Sequence, residues 1–537
     1  MVPHLLEREF DARVGASALA VLAACIVGCR DSAVCELAPE VPPRIELLKD
    51  IGSWETQSSE PSSFIIVGNT LFFLADDGVH GRELWKSDGT SEGTVLVKDA
   101  IPGPSGVSLT DDPKFTAVGS TLFFVANDGV HGKELWRSDG TPEGTLLLKD
   151  IQPGPAAALL DGPSALTAVG DTLFFHANDG VVGRELWKSN GTPEGTLLVR
   201  DIYPGPMGSI DPAISHLAPG VNGTLYFRAN SPGYGQELWK SDGTPEGTVL
   251  LRDLAAGSRS SVLDHFVNVE GTLYFSANTG SNADELWKSD GTPEGTVLVK
   301  DTRSLNDPYY PHSSRIAGIG PGGGGLVFFM QVTLAGTYGQ QLQHVYTVWG
   351  TDGTPHGTFR LRDAASGAGF QFWGRSEWVN GTLYFVAYDR LRWGLWKYDG
   401  TQPGAVPVRN AAREQGIDFR GVGNRLFFAV AGPSSFELWE SDGSPSGNRL
   451  LFTLPLGGQG RIFQTLTVMG GVLYFAAAGP AMGAELWRSD GTLEGTRLVR
   501  DINARSGVSS SNPSQLTDVD GVLYFRAQDG THGRSSG

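Results

Sequence analysis

The chain has 537 residues, 41 Lys and Arg against 59 Asp and Glu, and a net charge of −18. That length is too great for one ordinary packed domain unless the chain repeats or closes into a ring, and that acidity argues against binding nucleic acid or anionic lipid headgroups. The 73 Gly and 31 Pro stay below the level of a disordered chain, and the three cysteines, Cys25, Cys29 and Cys35, all precede residue 36, so the rest can hold neither a disulfide nor a cysteine metal site.

The chain starts with Arg8 and Arg13 before an apolar run, "VGASALAVLAACIVG", at residues 14–28. A positive flank, a short apolar stretch and small residues read as a secretory signal, too short for the roughly 20 residues of a spanning helix. "LAAC" ending at Cys25 and "IVGC" ending at Cys29 resemble the lipobox of bacterial lipoproteins. Cys29 fits better, because the charged Arg30 and Asp31 follow it. The resemblance implies cleavage before that cysteine, a lipid on its thiol, and attachment to a membrane only through this anchor; secretion without lipid is the alternative. Residues 1–29 are then the signal with its lipobox, and 30–43, with "PEVPP", a short stiff tether.

From residue 44 to 537 one phrase recurs, as in "ELWKSDGTPEGTVLVKD" at 285–301. Trp85, Trp136, Trp187, Trp239, Trp287, Trp349, Trp396, Trp439 and Trp487 mark its register at intervals of about 50 residues. A fixed period of this size indicates a propeller or solenoid. Each unit predicts four short strands; in residues 164–201 they are "SALTAVG", "DTLFFHA", "GRELWKS" and "TLLVRD". No window carries a helical period, so the expectation is an all-β propeller of four-stranded antiparallel blades. The second strand is apolar without alternation, as a strand covered on both faces must be. The third places Leu186 and Trp187 on opposite faces, one toward each neighbouring blade.

The phrase "SDGTPEGT" between the third and fourth strands is turn chemistry: Asp accepts from amides ahead of it, Gly takes positive φ, Pro presets a corner. It resembles the Asp-box turn of sialidase-like propellers, which implies that the first strand is innermost and the fourth lies at the rim. The whole repeat resembles the bacterial ELWxxDGT-repeat (hyalin-like) surface proteins. That resemblance implies a secreted or surface location and a repeat fold, and no defined chemistry.

"IELLKDI" at 45–51 matches a fourth strand, and the last residues, from "SQLTDVDGVLYFRA", match a first and second. Nine full units and a split tenth are therefore expected, the tenth lacking its third strand. Two five-bladed rings, parted at the glycine-rich residues 318–325, are the alternative.

Motifs for chemistry are few. "GTSEG", Gly89 to Gly93, is a turn and no nucleophile elbow, and "GIGPGG", Gly318 to Gly323, lacks the βαβ setting of a dinucleotide site. Asp76, Asp77, Asn127 and Asp128, in the loops between second and third strands, offer oxygens to Ca²⁺ but lack the alternating ladder of calcium loops, so Ca²⁺ is a weak candidate and no other cofactor is expected. The Glu of "ELW" recurs in seven units, as a structural residue would. In units five to seven, Tyr309, Tyr310, Tyr338, Trp373, Trp378, Arg390 and Trp393 are expected in loops of one face, a composition suited to recognition. The expected function is a non-catalytic binding, adhesion or structural scaffold at the cell surface or secreted, with a protein or glycan partner; a glycan-active hydrolase on the same scaffold is the alternative.

Overall fold

The computed structural model describes residues 18–23, 44–50, 61–99, 114–159, 166–211, 217–220, 223–280, 283–302, 314–321, 325–335, 343–361, 371–380, 382–388, 393–399, 404–411, 416–431, 435–443, 447–455, 466–478, 484–500, 511–519 and 522–527. Among them there is no helix, and so none long and apolar enough to cross a membrane.

The strands form ten four-stranded antiparallel sheets. Nine are continuous in sequence: blade 1 (residues 62–98), blade 2 (116–149), blade 3 (167–200), blade 4 (217–252), blade 5 (262–301), blade 6 (314–360), blade 7 (371–411), blade 8 (416–455) and blade 9 (467–500). Within each, strands a, b, c and d lie in chain order. Blade 3 is typical, with strands Thr167–Val169, Thr172–Asn178, Arg184–Ser189 and Leu197–Arg200.

The apolar pattern explains the stacking. In blade 3, Leu173, Phe175 and Trp187 point to one face and pack with Leu135 and Leu148 of blade 2. Phe174 and Leu186 point to the other and pack with Phe227 and Trp239 of blade 4. Strand b is thus sandwiched, as its unbroken apolar run requires. Six of the marker tryptophans, Trp85, Trp136, Trp187, Trp239, Trp396 and Trp487, are buried; Trp287, Trp349 and Trp439 are half-buried. The register slips by one residue between strands c and d at the Leu–Trp step, for instance at Leu186/Trp187, Leu238/Trp239 and Leu486/Trp487. Such a bulge sharpens the local twist of the outer strand.

First strands of successive blades approach each other: Thr116 donates to the Leu166 carbonyl at 3.3 Å, and Asn268 donates to the Pro219 carbonyl at 3.3 Å. Fourth strands carry the exposed apolar residues Leu197, Val297, Leu298 and Leu450. Strand a is therefore innermost and strand d outermost, the arrangement of propeller blades.

Blade 10 differs from expectation. Its order is Arg44–Asp50, Ala18–Ala23, Val522–Ala527, Ser514–Val519. The two chain ends share a sheet as predicted, but the third position is filled. Ala18–Ala23, inside the run read as a signal, pairs with Val522–Ala527 on one side and Arg44–Asp50 on the other. An apolar leader segment and an apolar strand carry the same composition, so six small and aliphatic residues satisfy either use.

The chain divides into two compact units. One comprises residues 1–107, 434–436 and 452–537, with blades 1, 9 and 10; the other comprises 108–433 and 437–451, with blades 2 to 7 and most of blade 8. The division does not fall at residues 318–325, where a pair of five-bladed rings would part.

Candidate functional site

The turn between strands c and d is the most repeated polar structure, and blade 5 shows it fully. Asp290 accepts from the Thr292 amide at 2.9 Å and from its hydroxyl at 2.7 Å. The Gly291 amide donates to Ser289 at 3.0 Å, and the Gly295 amide to the Thr292 hydroxyl at 2.9 Å. Ser289 and Thr296 close the base with a hydroxyl pair at 2.7 Å. Gly291 needs its φ of +91°, and a Cβ on Gly295 would fall 2.0 Å from the Asp290 carboxylate. The hydrogen bonds from Thr292 hold the Asp290 carboxyl below its ordinary range. One carboxylate oxygen thus accepts both bonds and holds the turn, the part of a scaffold residue.

These turns also join blades. Lys188 of blade 3 donates to the Gly243 carbonyl of blade 4 at 2.7 Å, and Lys240 of blade 4 to Gly291 of blade 5 at 2.8 Å. From strand d, Lys149 reaches the Thr196 carbonyl at 3.0 Å and Arg200 the Thr248 carbonyl at 2.7 Å. The basic residues of "ELWK" and "VLVKD" therefore cap carbonyls of the following blade. The sequence alone left these lysines and arginines without a role; the signal was their recurrence at two fixed offsets from most of the marker Trp residues.

The opposite end of each blade carries the b–c loops and the d–a connections. The Glu of "ELW" anchors it. Glu237 accepts from the Leu254 and Ala255 amides at 3.0 and 3.2 Å and from the Ser261 hydroxyl at 2.9 Å. Glu485 accepts from the Ser511 amide at 3.0 Å and its hydroxyl at 2.7 Å. Burial pushes the carboxyls of Glu134 and Glu185 up to about 7. Their partners are mainly backbone amides of the chain leaving strand d, as a structural role requires. In blades 5 and 8 the same Glu turns to its own indole, Trp287 at 3.1 Å and Trp439 at 2.9 Å.

The four oxygen-bearing residues considered for Ca²⁺ are turn formers. Asp76 accepts from the Gly78 amide at 2.7 Å and Asn127 from Gly129 at 2.8 Å. Asp77 accepts from the Val79 and His80 amides and from the His80 ring at 2.6 Å; Asp128 does the same with Val130 and His131. Hydrogen bonding to these carboxylates raises the pKa of both imidazoles. Among the described residues, no three His, Cys, Asp or Glu side chains gather as metal ligands.

Of the expected aromatic sector only Trp373, Trp378 and Trp393 fall among the described residues, and these three lie in strands. Tyr309, Tyr310, Tyr338 and Arg390 lie outside the described residues, as do Cys25 and Cys29. Trp373 and Trp378 lie in strand a of blade 7, Gln371–Val379, where the register slips between Phe372 and Ser376. Trp393 opens strand c and is half-buried against the core of Val386, Val408 and Phe428. The divergent sequence of this unit concealed longer strands. Among the described residues the loop face exposes Val79 of blade 1 at 47% and, in blades 2 to 4, Val130 at 62%, Val181 at 72%, Met207 at 78% and Tyr234 at 45%. Val130, Val181 and Tyr234 occupy the tips of successive b–c loops, and Met207 the neighbouring d–a connection.

No family model and no curated protein matches the chain. Among solved structures, a puromycin hydrolase is 13% identical, over 72% of this chain and 60% of that one, with a TM-score of 0.30. A Mycobacterium tuberculosis puromycin-hydrolyzing peptidase is 13% identical over 65% and 55%, TM-score 0.31. Prolyl oligopeptidase B from Galerina marginata is 11% identical over 79% and 56%, TM-score 0.34. The chain spans less than two thirds of each of these proteins.

Proposed function

We propose that the chain is a non-catalytic β-propeller scaffold of the ELWxxDGT-repeat surface proteins, exported and held at the cell surface through a lipid on Cys29, and that it binds a protein or glycan partner through its loop face. One observation carries this reading. The recurrent carboxylates, Asp of the turn and Glu of "ELW", accept hydrogen bonds from the scaffold's own amides, hydroxyls and indoles, while the loop tips present apolar side chains to solvent. A binding surface needs exposed apolar anchors more than it needs acids and bases.

The test is a glycan and envelope-protein binding screen of the purified chain. Saturable binding is expected, weakened when Val181, Met207 and Tyr234 are replaced together by Ser. Turnover of a glycosidic substrate would overturn the non-catalytic reading. Acyl label that still attaches to a Cys29→Ser variant would remove the anchor.

A further inference from the structure

One interface between blades is not filled. Between blades 6 and 7 lies a pocket of about 200 Å³. Its floor is Phe328 and Val348 of blade 6 with Leu383 and Phe385 of blade 7, all buried. Its rim is Ala317 and Ser376, both exposed. Among the described residues, no ionisable side chain lines it.

The pocket has a sequence cause. Gly320 pairs with Phe328, so the two positions share a face. At the same register every other blade carries a side chain, β-branched in six: Ile65, Thr116, Thr167, Val267, Thr467 and Thr517. Gly318, opposite Met330, removes another. Neither glycine has a positive φ, so the backbone does not require them, and a Cβ built on either meets no atom within 4 Å. The missing side chains leave a slot between two sheets, floored by aromatic rings.

We propose that this slot binds a neutral aromatic ring system of about the size of indole, with its polar edge at the Ser376 hydroxyl. The volume argues for that size: an apolar cavity of roughly 150 Å³ in another protein stays dry and takes benzene. Phe328 and Phe385 favour a ring over an alkyl chain, because offset or edge contacts between aromatic rings add to the area they bury. The absence of charged lining excludes an ionic ligand, whose desolvation would go uncompensated. The ring can arrive as a free heteroaromatic molecule or as a tryptophan side chain of an extended peptide.

The proposal does not rest on the scaffold reading above; aromatic binding without a surface partner, or the reverse, separates the two. The experiment titrates the full chain with indole, with naphthalene and with a blocked glycine pentapeptide carrying a central tryptophan. Saturable binding of indole identifies a small-molecule site, and binding of the peptide alone a side-chain site; either supports the proposal. Gly320→Val should weaken binding about tenfold or more without lowering the thermal midpoint, since it supplies the side chain that Val267 supplies in blade 5. Ser376→Ala should weaken indole and leave naphthalene unchanged. Binding by none of the three probes, or full affinity in a folded Gly320→Val variant, would overturn it.

Discussion

In blade 3 a histidine interrupts the apolar run of strand b. His176 stands where blade 1 has Leu74 and blade 2 has Val125, and it is fully buried with neither ring nitrogen hydrogen-bonded. Burial, with the Arg184 guanidinium adding to it, pushes its pKa down to about 3 from 6.5. The unfolded chain therefore binds this proton more readily than the folded one. The stability it allows is complete above pH 6.5 and is lost as pH falls toward 3. A His176→Leu variant should unfold in acid at a midpoint lower by about one pH unit, read by fluorescence across a pH series; an unchanged midpoint would deny His176 this role. Glu134 and Glu185 act with the opposite sign. Their raised pKa values contribute stability that is full below the ordinary glutamate range, about 4.5, and is lost as pH rises through about 7.

At the scale of the element, each blade stands by what its neighbour inserts. Trp187 fills the interface with blade 2 and is 5% exposed. Trp187→Ala should cost about 3–5 kcal/mol, measured by urea unfolding, and an effect below about 1 kcal/mol would mean that the indole is not part of the core. Blades were legible in the sequence because three signals coincide in most units: a largely apolar strand, a marker Trp and a glycine-bearing turn. Blade 7 was harder. Tyr388 pairs with Trp393 as Asp76 pairs with Arg82 in blade 1, so an aromatic residue read as loop opens strand c. The pocket was invisible for a related reason. "GIGPGG" was weighed as a phosphate loop, and only strand register reveals that Gly320 stands where a branched side chain usually does.

For the whole molecule, the two ends matter most. Ala18–Ala23 holds the third position of blade 10, yet the same residues compose the apolar run of an export signal. The two uses exclude each other in one molecule, since cleavage before Cys29 takes that strand away. Mass spectrometry of the exported chain decides between them. A mature N-terminus at Cys29 is the expected result, and an intact N-terminus would favour the four-stranded blade. In the cleaved form Arg44–Asp50 has no strand between it and Val522–Ala527, so deleting residues 18–23 from an unexported, uncleaved chain should lower its thermal midpoint.

The basic side chains that cap carbonyls all point the same way along the chain, from one blade to its successor. Each joint from blade 2 to blade 5 is thus a plug on the earlier unit and a socket on the later one. Excising or duplicating a whole cassette, cut at equivalent points, leaves plug facing socket at the new seam. Gene duplication can therefore lengthen or shorten such an array in whole steps without inventing a contact, which accounts for a chain that spells one phrase so many times.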